Sequence, residues 1–178
     1  METIKSPTKE LTYESKEIMT RDPDCLRGDD TARRAAQVMR DRDCGCVPIV
    51  DDAGKVVGIV TDRDLAVRAI AAGKDPSTKL NDLMTPVATT CGPDDDLRDV
   101  EQKMAELQVR RIPIVDDAGK CLGIISQADI ALAASRSSAV TEREIALVVE
   151  QISQPTGRGI GRADPNRGFD ETGIAPQF

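Results

Sequence analysis

The chain has 178 residues, 39% of them hydrophobic and 31% charged, with three aromatics, so its core must be built from aliphatic side chains. Its net charge of −7 and pI near 4.7 argue against a nucleic-acid partner, because phosphate binding rests on Lys and Arg displacing counterions and single-strand binding on aromatic stacking. No apolar run approaches the roughly 20 residues that span a bilayer. The opening Met1–Glu10 is polar, unlike a secretory signal, so a cytoplasmic protein without a membrane partner is expected. Cys25, Cys44, Cys46, Cys91 and Cys121 are odd in number and form no C-x-x-C pair, and histidine is absent. That argues against a disulfide framework, a metal site and His-based acid–base catalysis.

In chain order, a polar arm (1–15) precedes a short extended piece around Asp24–Leu26. A helix follows, predicted to open at the acidic Asp29-Asp30, with Ala32, Ala35, Val38 and Met39 at helical spacing. Two strands come next, Val47–Val50 and Val56–Val60, joined by Asp-Asp-Ala-Gly-Lys with Gly54 suited to a positive-φ turn position. A second helix is predicted over Asp62–Ala72. The same series then recurs: an extended Ala88–Cys91, a helix opening at Asp94-Asp95, strands Ile112–Val115 and Cys121–Ile125 around Gly119, and a helix over Gln127–Ser135. Pro48 and Pro113 are 113 − 48 = 65 positions apart, and that shift also aligns Met19-Thr20 with Met84-Thr85 and Asp64 with Asp129.

Between the copies Gly73-Lys-Asp-Pro-Ser-Thr reads as a linker, with Asn81 as a candidate cap for a short turn. The boundaries are therefore 16–73 for the first repeat and 74–136 for linker and second repeat. A capping box at Thr141 opens a predicted C-terminal helix within 137–154, and a Gly-, Pro- and Arg-rich tail occupies 155–178. Each repeat of about 48 residues would leave an apolar sheet face bare on its own, so the two are expected to share one domain.

The I-M-T and L-M-T openings, the V-P-I-V-D-D and I-P-I-V-D-D strands, and the G-I-V-T-D-R-D and G-I-I-S-Q-A-D segments closely resemble the CBS-domain family, over about Lys16 to Ala134. The resemblance implies an α/β (α+β) fold of two pseudo-symmetric β-α-β-β-α repeats packed sheet to sheet, to which the C-terminal helix is added. It implies two symmetry-related clefts that bind adenosyl ligands such as AMP, ADP, ATP or S-adenosylmethionine. It also implies a stand-alone pair of the kind that is often a homodimer assigned to stress or energy sensing.

Candidate ligand residues follow from the motif. Thr61 stands where a strand gives way to a helix N-terminus, whose free N–H groups and dipole suit an anion. Arg63 could reach a phosphate, and Asp64 matches the family carboxylate that takes the ribose hydroxyls; Gly58 leaves space beside the strand. Equally, Thr-x-x-Asp is a capping box that needs no ligand. In the second copy Ser126 and Asp129 keep hydroxyl and carboxylate, while Gln127-Ala128 replaces Asp62-Arg63 and Arg111, with Arg110, could supply charge. A solvated loop or a dimer salt bridge accounts for that arginine pair equally well. Val47, Pro48, Ile112 and Pro113 match positions at the adenine slot or are simply core, and Thr20 and Thr85 lie near the cleft mouth. Cys44-Gly-Cys46 is a weak redox or metal pattern, and Asp94–Asp96 a helix start. No nucleophile–base pair or P-loop suggests an enzyme. The expected function is a non-catalytic adenine-nucleotide sensor acting on an unknown downstream protein; the alternative is a ligand-free scaffold dimer.

Overall fold

The computed structural model describes residues 13–87, 89–136 and 150. A short helix α1 (Ser15–Ile18) leads into β1 (Thr20–Arg21) and β2 (Leu26–Arg27), followed by α2 (Ala32–Asp41) and the hairpin β3 (Cys46–Val50) and β4 (Val56–Thr61). The helix α3 (Asp62–Asp64) then runs on as a π-helix over Leu65–Ile70, in place of the α-helix predicted to Ala72. A 3-10 turn (Leu80–Asp82) opens the second round of β5 (Thr85–Pro86), α4 (Leu97–Leu107), β6 (Arg111–Val115), β7 (Cys121–Ser126) and α5 (Gln127–Arg136). The arm before residue 13, the C-terminal helix expected within 137–154 and the tail over 155–178 lie outside the described residues, Glu150 excepted. Among the described residues no helix is long and apolar enough to cross a membrane.

The two hairpins close as their turn residues require: Gly54 and Gly119 sit at φ +80° and +82°, where a Cβ would be strained. Helix starts differ from the sequence expectation. The caps are Thr31 and Asp96, whose side chains accept from Arg34 N at 3.2 Å and Arg98 N at 2.9 Å. The expected acidic openers close the preceding turns, Asp30 accepting from Arg27 N at 2.8 Å and Asp95 from Gly92 N at 3.0 Å. An oxygen on Thr31 or Asp96 meets the first free N–H groups, which is what a cap must do. Asn81 lies inside the 3-10 turn, whose N-cap is Lys79.

Two sheets result, in the orders β2-β3-β4-β5 and β1-β7-β6. Each contains a strand from the other repeat. β5, which opens the second repeat, pairs antiparallel with β4, Thr85 opposite Ile59. β1, which opens the first, pairs with β7, Thr20 opposite Ile124. The cores follow the same exchange. Leu80 and Leu83 pack into the first core with Val47, Ile49, Val60 and the α2 face. Ile18, Met19 and Tyr13 pack against the second core of Val100, Met104, Ile112, Ile114 and Ile125. Lys55 and Lys120, themselves 65 residues apart, form an antiparallel bridge with each other. A self-pairing of equivalent residues marks the pseudo-two-fold axis between the repeats.

Candidate ligand site at the strand ends

β4 and β7 each end in a hydroxyl residue that caps the next helix. Thr61 N and Oγ1 donate to Asp64 Oδ2 at 2.9 and 2.7 Å, and Asp64 N donates back to Thr61 Oγ1 at 3.1 Å. Ser126 N and Oγ donate to Asp129 Oδ2 at 2.8 and 2.6 Å, with Asp129 N returning to Ser126 Oγ at 3.3 Å. Both motifs are thus closed capping boxes, and each leaves one carboxylate oxygen, Oδ1, outside the box. All four residues are half-buried, which holds the carboxylates at the surface without dissolving their geometry.

Strand exchange decides which threonine joins which motif. Thr85 faces Ile59, two residues before Thr61, and Thr20 faces Ile124, two residues before Ser126. Thr85 therefore belongs with Thr61 and Asp64, and Thr20 with Ser126 and Asp129; both threonines are exposed. Arg63 is exposed on the first turn of α3. Arg111 opens β6, and its guanidinium lies beside Gly45: a Cβ there would stand 3.0 Å from Arg111 Nη2 and 3.2 Å from Asp62 Oδ2. Arg111 thus reaches across to the first repeat.

Other candidates are packed away. Val47 and Ile112 are 0% exposed and belong to the two cores, and Pro48 and Pro113 are buried beside them. The space beside Gly58 is filled: a Cβ would come within 2.6 Å of Met84 Sδ. One residue that sequence reading passed over stands at the first motif. Arg68 Nε lies 3.4 Å from Asp64 Oδ1, and its Nη1 donates to Leu83 O at 2.9 Å and Met84 O at 3.1 Å. Its spacing of four from Asp64 was the available signal.

The Cys44-Gly-Cys46 segment is largely packed into the fold, Cys46 being buried. Cys44 packs against the first core, and the Cys46 thiol is pushed up to about 11 by burial, with Arg111 opposing and Asp62 and Asp129 adding. Cys25, just before β2, differs: a hydrogen bond with the Cys121 thiol holds it below the usual thiol value. Because the thiolate is the reactive form, limited iodoacetamide labelling near neutral pH should modify Cys25 well before Cys46. Peptide mass analysis showing Cys46 labelled first would contradict this electrostatic picture. Among the described residues no group of three or more Cys, Asp or Glu side chains could hold a metal ion.

Two similar repeats, each lending a strand to its neighbour and each ending a central hairpin in a hydroxyl–carboxylate box, define a paired α/β module with duplicated motifs. The CBS-domain model matches residues 16–69 and 80–136, and the chain belongs to that family. It is 33% identical over 118 residues to hypoxic response protein 1 of Mycobacterium tuberculosis, covering 66% of this chain and 82% of that one. It is similar to the solved CBS domain pair of protein MJ0100 in complex with 5′-methylthioadenosine and S-adenosyl-L-methionine. The TM-score is 0.64 at 28% identity, over 71% of this chain and 99% of that one. It also resembles CBSX2 in complex with AMP, with TM-score 0.60 and 25% identity over 70% and 97% of the two chains.

Proposed function

We propose that this chain is a non-catalytic sensor that binds an adenosine-containing ligand of the AMP, ADP or ATP class at its strand-end motifs and passes the change to a downstream protein in the cytoplasm. The observation that carries the reading is the duplicated box, Thr61–Asp64 and Ser126–Asp129, each beside a threonine delivered by the exchanged strand. A carboxylate oxygen outside the box can accept from ribose hydroxyls, and the helix N-terminus beside it favours an anion. Support comes from the similar pairs solved with AMP and with S-adenosylmethionine and methylthioadenosine. A role in stress response accords with the similarity to hypoxic response protein 1. Homodimerisation belongs to the same reading: Val67 and Leu132, 65 positions apart, are 52% and 54% exposed, and sedimentation would measure the association.

A ligand-free scaffold is the second reading, favoured by one observation: the second motif carries Gln127-Ala128 where the first has Asp62-Arg63, so it has no basic residue of its own. Thermal denaturation of the nucleotide-free protein separates the two. AMP at 100 times its dissociation constant should raise the unfolding free energy by about 2.7 kcal/mol. No shift with AMP, ADP, ATP or S-adenosylmethionine would leave the scaffold.

A further inference from the structure

The two motifs are alike in sequence and unlike in what their carboxylates have left to offer. At the first, Asp64 Oδ2 is held by Thr61 and Oδ1 faces Arg68 Nε at 3.4 Å, so both oxygens are engaged. The Asp64 side chain is only 14% exposed. Arg68 is anchored at its other end by the carbonyls of Leu83 and Met84, immediately before Thr85. It therefore spans the first motif from the carboxylate to the exchanged strand. At the second motif the position 65 residues on from Arg68 is Ala133, a buried member of the second core. Asp129 Oδ2 is held by Ser126 as in the first copy, but Oδ1 has no hydrogen-bond or ion-pair partner among the described residues.

A ribose cis-diol presents two O–H donors and needs acceptor lone pairs that are not already spent. Asp129 can accept both without losing any contact it now makes. To accept both, Asp64 would have to part from a guanidinium that the Leu83 and Met84 carbonyls also hold, and the ligand would replace a charged partner with neutral hydroxyls, a weaker exchange. The second motif has no arginine of its own: Arg111 starts opposite Ser126 across the β6–β7 pair, and its guanidinium lies beside Gly45 and Asp62 of the first repeat.

We infer that the protein takes one adenosine ligand per chain, at the motif of Thr20, Ser126 and Asp129, and that Arg68 is the positioning residue that closes the other motif. This rests on the adenosine reading above.

Titration calorimetry of the full nucleotide-free chain with AMP tests it. The expected stoichiometry is one per chain, and Asp129→Asn should weaken that site at least tenfold. Arg68→Met, which keeps side-chain length, should raise the stoichiometry to two. Titration with 2′,3′-dideoxyadenosine monophosphate supplies a readout that does not depend on a variant folding perfectly. Loss of the diol should weaken binding to the unaltered protein and make no further difference in Asp129→Asn. Two sites in the unaltered protein, or one site that survives Asp129→Asn with its preference for the diol intact, overturns the inference while leaving the adenosine reading standing. No binding of AMP, ATP or S-adenosylmethionine by the unaltered protein overturns both.

Discussion

Replacing Leu83 by alanine is expected to lower the unfolding free energy by about 2–5 kcal/mol, the range for truncating a buried leucine where the surroundings relax only in part. In the sequence Leu83 belongs to the opening of the second repeat. In the fold it is 0% exposed in the core of the first, with Leu80 beside it, and its carbonyl is one of the two that hold Arg68. Urea denaturation should show a lower midpoint with little change in slope. A loss under about 1 kcal/mol, well below the usual truncation range, would mean that this segment does not hold the first core as described.

The second large effect is expected at Gly123. A Cβ there would stand 2.6 Å from Met19 Sδ, 2.8 Å from Met19 Cγ and 2.8 Å from the backbone oxygen of Thr20. A methionine tip can swing aside, being unbranched and adaptable; a carbonyl in a paired strand cannot. Since β1 is two residues long, the extra methyl group would push it from β7. Gly123→Ala should therefore cost at least the 1–3 kcal/mol typical of overpacking. At the equivalent Gly58 the backbone oxygen, that of Thr85, would be 3.2 Å away, so Gly58→Ala should be the milder of the two. Matched melting curves decide the order; a greater loss at Gly58 would refute this account of strand contact.

Much of this architecture can be read before folding. The 65-residue shift, the hairpins with Gly54 and Gly119 at their turns, and the faces of α2 and α4 follow from residue types whose preferences are local. What escaped reading is set by partners. Leu80, Leu83, Ile18 and Met19 are apolar in a way that any core would accept, so periodicity could not say that each serves the other repeat. Helix ends at Asp43 and Gln108, equivalent residues at φ +49° and +53°, lack the glycine that would have announced a left-handed residue. At the candidate site the Thr61–Asp64 and Ser126–Asp129 pairs were visible, as ligand group and as capping box alike, and the structure contains the box in both copies. Gly58 and Gly123 leave room that the neighbouring strand's methionine occupies, which no spacing argument reveals. Arg68 was hidden because its other contacts, the Leu83 and Met84 carbonyls, are backbone atoms 15 and 16 residues on.

The exchange of edge strands also orders events during synthesis. Thr20 pairs with Ile124, 124 − 20 = 104 positions later, so β1 leaves the ribosome long before the strand that receives it. Loop closure of that span must be met before the contact can repay it. The first hairpin has a shorter wait, since β5 follows β4 by 85 − 61 = 24 residues. The N-terminal half can thus acquire its borrowed strand while the chain is still growing, whereas α1 and β1 settle only after β7 has emerged.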